Sequence, residues 1–151
     1  MTINAEIEAP EISGIAQIHE RILLRWLAGR VFDAVADCSG VDSSLEKLAA
    51  YRDIFDATTY LTAALTMTSR SARFRAEMRS GGFLGMSMIS VENAGCGAGD
   101  IYVGYDDDAY IIAVKVAGLC HVEESTSSKK HAREIYVRSI LALVDDLAAS
   151  R

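Results

Sequence analysis

The 151-residue sequence is poor in proline and cysteine and has no long apolar run. A single proline, Pro10, and a 50% share of hydrophobic residues argue against a disordered chain. Three cysteines are an odd number without the spacing of a metal site, which favours reduced thiols over a disulfide framework. Because no apolar run reaches the roughly 18 residues of a membrane span, we expect a soluble protein.

Positive charge is also scarce, since 15 Lys and Arg against 21 Asp and Glu give a formal net charge of −6. This balance would repel the phosphates of nucleic acids and anionic lipids, so we expect neither as a partner. The N-terminal residues carry acids and no basic, apolar leader, which predicts a cytoplasmic location. One cluster of arginines opposes the trend, and we interpret it as a solvated helix face or, as the weaker alternative, an anion-binding patch: Arg70, Arg73, Arg75 and Arg79.

The stretch that organises the chain is residues 83–117, the only long one rich in β-favouring residues. Residues 100–105 and 109–116 are β-rich runs separated by three aspartates, a pattern typical of a β-hairpin. Residues 83–91 predict a preceding strand, joined to the hairpin through a glycine-rich loop. The sequence therefore predicts a meander of three antiparallel strands.

In the second run of the hairpin, alternate side chains point to opposite faces of the sheet. One face of residues 109–116 is fully apolar and requires a covering layer: Tyr110, Ile112, Val114 and Val116.

The N-terminal third predicts one helix and a turn. We expect residues 1–10 to be a flexible tail, with Pro10 in the first turn of the helix. Apolar residues at three- and four-residue steps from Ile12 indicate an amphipathic helix that ends near Gly29. Residues 31–36 fit either a short strand, which we favour, or a continuation of the helix. Turn-forming residues follow up to Gly40.

The next segment begins with a capping box. Ser43 and Glu46 have the S-x-x-E spacing in which each side chain satisfies a backbone N–H of the first helical turn, so we expect a helix from Ser44. Its apolar pattern continues to Met78 and ends near Gly81, as one long helix or two abutting ones.

A closing helix begins at Lys129, where its apolar residues form a continuous stripe over five turns. The sequence thus predicts a single α+β domain over residues 11–151, in which helices pack on an antiparallel sheet.

Catalytic signatures are weak. Cys96 lies among glycines that lead into a strand, whereas a phosphate-binding loop leads into a helix. Cys120 and His121 are adjacent, so regular alternation along a strand would separate them. We therefore favour a non-enzymatic protein without a metal or cofactor. The alternative is a small cytosolic enzyme or ligand sensor with a pocket near Cys96, Cys120 and His121.

Three stretches together resemble the roadblock/LC7 family of small α+β domains. Residues 35–44, with an acidic residue and a glycine at a turn, look like the first hairpin of the family. Residues 83–116 look like its central meander, and residues 128–147 look like its closing helix. Members of this family regulate small GTPases or serve as dynein light chains and endosomal scaffold subunits.

The resemblance implies a homodimer that joins edge to edge through the strand after the second helix and packs those helices together. It also implies a protein partner, such as a small GTPase or a motor or scaffold subunit. The methionines near this seam offer adaptable apolar surface, although core packing would account for them equally well. The expected contact residues are Tyr60, Met67, Met78, Phe83, Met86 and Met88.

Overall fold

The computed structural model describes residues 2–69, 72–77, 85–93, 97–116 and 119–149, without the side chains of residues 2–17, 93, 97, 119–121 and 148–149. Its architecture is α+β, as predicted. The helices are α1 (Thr2–Ser39), α2 (Ser44–Thr68) and α3 (Lys129–Ala149), and the strands are β1 (Ala72–Ala76), β2 (Met86–Asn93), β3 (Gly97–Asp106), β4 (Ala109–Val116) and β5 (Leu119–Thr126).

The five strands form one antiparallel sheet in chain order, β1-β2-β3-β4-β5. Its centre, β2 to β4, corresponds to the predicted three-stranded meander. β1 and β5 extend that meander at its two edges. Each strand pairs with its neighbour in sequence, so the sheet is a meander.

The β3–β4 hairpin is formed as the aspartate pattern predicts. Its two central residues, Asp107 and Asp108, have φ values of 47° and 67°. Positive φ at both positions is the geometry of a type I′ turn, whose twist matches that of the flanking strands, and aspartate tolerates it better than most residues. The turn pairs Tyr105 with Tyr110, whose ring centroids lie 4.8 Å apart.

The helices form a layer on the apolar face of the sheet. α1 lies in the middle, packed against α2 on one side and α3 on the other. α2 contacts β1 and β2, α1 contacts β2 and β3, and α3 contacts β4 and β5. The face of β4 predicted to need covering is buried at all four positions, from Tyr110 to Val116.

The predicted bounds of α1 were wrong at both ends. α1 begins at Thr2 instead of near Pro10, so residues 2–10 have helical backbone where we expected a tail, and it passes through Gly29 to Ser39. Gly29 lies inside the helix, and the absence of a side chain there leaves room for a neighbour: a Cβ would lie 2.5 Å from the Arg133 guanidinium of α3.

Residues 31–36 are helical, so the favoured strand and the family-like hairpin over residues 35–44 are both wrong. Val31, Phe32, Val35 and Ala36 are buried. Their spacing places them on one helical face, which packs into the core. The turn at Gly40 and the start of α2 at Ser44 are as predicted, and Ser43 Oγ accepts a hydrogen bond from the Glu46 backbone N–H at 3.1 Å.

α2 is a single helix that ends at Thr68, ten residues before Met78. Residues 72–76, expected to be helical, form strand β1 instead. β1 pairs with β2 from Ala72↔Asn93 to Ala76↔Ile89, and Phe74 is buried while Arg73 and Arg75 are exposed. Pairing with a strand distant in sequence overrides the local helical preference of alanine and arginine.

The glycines before the hairpin belong partly to β3, which begins at Gly97. Gly99 pairs with Val116, and a Cβ at Gly99 would overlap the backbone of Lys115 and Val116. This close approach of β4 requires glycine at position 99. Gly99 therefore has a packing role within β3.

A buried polar contact joins α2 to β2. Thr58 Oγ1 of α2 donates to the Ile54 carbonyl at 2.7 Å and lies 2.7 Å from Ser87 Oγ of β2. Because Thr58 has one hydroxyl proton, Ser87 donates to Thr58. Beside Ser87, the Tyr136 hydroxyl of α3 is fully buried and makes no hydrogen bond of good geometry within the described residues.

Candidate protein-binding surface

α1 carries apolar residues on two opposite sides. Leu24, Ala28, Val31 and Val35 form the buried side. Ile18, Ile22 and Trp26 recur at four-residue steps on the other side and are exposed. Since a helix places residues four apart on one face, the exposed residues form a second, uncovered stripe.

The exposed stripe of α1 ends at a groove between α1 and α2. We call it the aromatic groove; it has a volume of about 300 Å³ and is lined by Trp26, Leu27, Arg30, Ala57 and Tyr60. The Arg30 guanidinium lies 5.1 Å from the Trp26 ring centroid, which is the geometry of a cation–π contact. Trp26 is 57% exposed, Tyr60 is 68% exposed and Met67, further along α2, is 83% exposed.

A second groove between the same helices continues from the first through Arg30, Ala57 and Tyr60. We call it the acidic groove because four aspartates line it, within a volume of about 450 Å³: Asp33, Asp37, Asp53 and Asp56. The aromatic and acidic grooves together place exposed Trp and Tyr beside a charged rim. Protein interfaces have the same organisation, with an aromatic centre and a polar rim.

The predicted contact residues do not form one surface. Tyr60 and Met67 are exposed on α2. Met86 and Met88 are half-buried in β2, on the sheet face opposite the helices, where Met88 pairs with Tyr102. Met78 and Phe83 lie outside the described residues, as do Arg70 and Arg79.

The edge-to-edge contact expected from residues 83–91 does not fit the sheet. β2 is an interior strand, hydrogen-bonded to β1 on one side and to β3 on the other. The edge strand that follows α2 is β1. Two copies of β1 paired about Phe74 would place Arg73 opposite Arg75 of the second copy, and like charges directly opposite each other destabilise a strand pair.

The arginines of β1 do not converge on a ligand site in the described residues. Arg73 and Arg75 are exposed on the strand, and Arg75 Nε lies 3.3 Å from Glu77 Oε1. The predicted solvated helix face is thus a solvated strand face, and the anion-binding alternative at these arginines stays a prediction.

The structure describes the side chain of one of the three cysteines, Cys38. Cys38 is buried near the end of α1, where burial raises the pKa of its thiol and Lys47 opposes part of the shift. A buried thiol with a raised pKa is a poor nucleophile. Cys96 lies outside the described residues, so the pocket predicted near it stays a prediction.

Cys120 and His121 belong to β5, where the pairing is irregular. Val114 pairs with Val122 but Lys115 pairs with Cys120, so His121 is an extra residue in a β-bulge. Strict alternation, the basis for separating the two side chains, does not hold at a bulge. Among the side chains that the structure describes, no group of three or more His, Cys, Asp and Glu could hold a metal ion.

Sequence reasoning did not identify Trp26 and Arg30 as surface residues, because it interpreted α1 as an amphipathic helix with one apolar side. The available signal was that apolar residues occur on both sides of this helix. A helix that is apolar on two sides covers the core with one and leaves the other for a second contact.

The chain matches no protein-family model, no curated protein and no solved structure in the three comparisons with known proteins. Within the described ranges, none of the helices combines the length and apolar character needed to cross a bilayer.

Proposed function

We propose that the protein is a non-enzymatic, homodimeric regulatory or adaptor domain that binds a protein partner. The observation that carries this proposal is the exposure of Trp26 and Tyr60 side by side in the aromatic groove. Large exposed aromatic residues next to an arginine are the commonest anchors of protein interfaces. The family resemblance supports a small GTPase, or a motor or scaffold subunit, as the class of partner.

The helices offer a better dimer contact than the sheet edge. Trp26, Tyr60 and Met67 are uncharged and exposed, whereas β1 presents Arg73 and Arg75. We therefore assign the dimer contact to the aromatic groove and Met67. The acidic groove, at the rim of this contact, is the surface for a partner with basic residues.

Salt dependence distinguishes the two contacts. Two copies meeting at the aromatic groove bring their acidic grooves close together, so screening the repulsion at about 0.5 M salt should strengthen the dimer. A basic partner in the acidic groove should instead bind more weakly as salt screens the attraction.

The test is the molar mass of the protein by light scattering over a range of concentrations. We expect a dimer at micromolar concentration and a dissociation constant about 1,000-fold higher for W26A/Y60A, because two interface anchors at ~2 kcal/mol each contribute ~4 kcal/mol. The matched control is L45A/L48A, which removes two exposed apolar side chains from the first turns of α2.

A monomeric wild-type protein at about 100 µM would refute the homodimer. A dimer that W26A/Y60A does not weaken, or that L45A/L48A weakens equally, would refute the assigned contact. For the partner, D53N/D56N removes two charges from the acidic groove. In a pull-down from native cytosol, D53N/D56N should not retain the partner protein that the wild type retains. Equal retention by both would show that the partner binds elsewhere.

A further inference from the structure

We propose that the groove between α1 and α3 binds a small amphiphilic organic anion, a carboxylate or phosphate that carries a short apolar chain. This groove lies on the opposite flank of α1 from the aromatic and acidic grooves. The proposal does not depend on the homodimer or on the protein partner.

The groove, called here the cationic groove, has a volume of about 480 Å³. That volume lies within the range of roughly 300–1,000 Å³ of small-molecule sites. Its lining combines arginines from both helices with two carboxylates and three apolar side chains of α3: Arg21, Arg25, Arg133, Glu134, Val137, Arg138, Leu141, Ala142 and Asp145.

Two of the four arginines are neutralised within the protein. Arg21 Nη1 lies 2.5 Å from Asp145 Oδ1. Arg133 donates two hydrogen bonds to the Asp33 carboxylate, at 2.9 Å and 3.2 Å. These hydrogen bonds raise the pKa of the Arg133 guanidinium, so Arg133 stays charged.

The other two arginines are available to a ligand. Arg25 and Arg138 are exposed and form no ion pair or hydrogen bond with the described residues. Glu134, which also lines the groove, likewise forms no ion pair or hydrogen bond with the described residues. The lining charges without a partner among the described residues are therefore two guanidinium groups and one carboxylate. This balance makes the groove locally positive in a chain of net charge −6.

The chemistry of the lining selects the ligand class. Guanidinium groups bind carboxylate and phosphate through paired N–H donors, which gives both charge attraction and directional recognition. The apolar side chains between them, Val137 and Leu141, are almost fully buried in the core, so they form a rigid floor. A ligand with an anionic head and an apolar chain satisfies both parts, whereas a bare inorganic anion satisfies one.

The test is isothermal titration calorimetry with octanoate and octyl phosphate as probes. We expect R25A/R138A to bind both probes at least tenfold more weakly than the wild type. The matched control is R52A/R73A, which removes two exposed arginines, on α2 and β1, and changes the net charge equally. This control also tests the β1 arginine cluster, because weaker binding by R52A/R73A than by R25A/R138A would place the anion there and overturn the proposal.

Three further measurements distinguish the contribution of the ligand's anionic head from that of its apolar chain. Across acetate, butyrate, hexanoate and octanoate, affinity should rise about fourfold per methylene group if the floor is contacted, since burying a methylene is worth ~0.8 kcal/mol. E134Q should bind octanoate severalfold more tightly, because it removes the opposing charge. R25K/R138K should recover part of the affinity lost in R25A/R138A, because lysine keeps the charge without the paired donors.

The remaining outcomes contradict the proposal. No heat of binding with either probe at millimolar concentration would overturn the site. Equal affinities for acetate and octanoate would overturn the amphiphilic ligand. Binding to phosphatidylglycerol vesicles without binding to the free probes would overturn the proposal of a small ligand and indicate a membrane surface as the partner.

Discussion

The fully buried Tyr136 hydroxyl predicts an unusual loss of stability at high pH. Burial raises the pKa of this phenol above its ordinary value of about 10, and Ser87 opposes part of the shift. In the unfolded chain the phenol ionises near pH 10, whereas in the folded protein it keeps its proton. Above pH 10 the unfolded state therefore binds fewer protons than the folded state, and stability falls as pH rises.

The size of the effect follows from one proton. The free energy of unfolding should fall by ~1.4 kcal/mol per pH unit once the unfolded phenol has ionised, or about 2 kcal/mol by pH 11.5. Tyr136→Phe removes the ionising group and keeps the ring in the core. At pH 7 it should change stability by less than about 1 kcal/mol, because the lost hydroxyl has no well-formed hydrogen bond in the described residues.

Urea denaturation followed by circular dichroism, at half-unit steps from pH 8 to 11.5, measures both quantities. Other ionising groups contribute to both proteins, so the difference between wild type and Y136F isolates Tyr136. Ser87→Ala is the matched control: it should lose about 1 kcal/mol at pH 7 with the Thr58 contact and keep the alkaline slope. If the free energy of unfolding had the same pH dependence in wild type and Y136F, the proposed effect of burying the Tyr136 phenol would be refuted.

Two further substitutions, one with a glycine control, test a close backbone approach and a helix cap by the same urea denaturation. Gly99→Ala should lose about 2–3 kcal/mol or more, because its Cβ would overlap the β4 backbone at Val116. Gly40→Ala should stay within about 1 kcal/mol of wild type, because its Cβ would lie 3.9 Å from the Asp37 carbonyl oxygen, an ordinary van der Waals contact. Equal effects would contradict the close approach. Ser43→Ala should cost about 1 kcal/mol through loss of the hydrogen bond from the Glu46 N–H, and an unchanged midpoint would mean that the cap does not stabilise α2.

Several elements were predictable because their determinants are local. Ser43 caps α2 through a residue three positions away, and the turn at Asp107 and Asp108 needs only residues that tolerate positive φ. The stripe of α3 repeats over enough turns that its period is unambiguous, and Ala132, Tyr136 and Ile140 on it are fully buried. In each case one short stretch contains the whole physical cause.

Other elements depend on partners distant in the chain. Residues 72–76 are strand because β2 supplies their hydrogen-bond partners, and nothing in their alanine and arginine pattern identifies that partner. A helix tolerates Gly29 at a cost of about 1 kcal/mol, and the packing of α1 on the core and on α3 offsets that cost. From the sequence alone Gly29 was predicted to end the helix, because glycine is common at helix ends and the packing partners of α1 are distant in the chain.

The distinction between local causes and partners distant in the chain also applies to the proposed binding surfaces. By itself the sequence determined an acidic α+β chain with a central hairpin, a capped second helix and a closing amphipathic helix, because composition, turns and periodicity are local properties. Only the tertiary structure decided that the core covers one apolar side of α1 and leaves Trp26 exposed, and that Arg25 and Arg138 line one groove. Exposure and convergence are properties of the packed helices, since they depend on which residues from distant segments become neighbours.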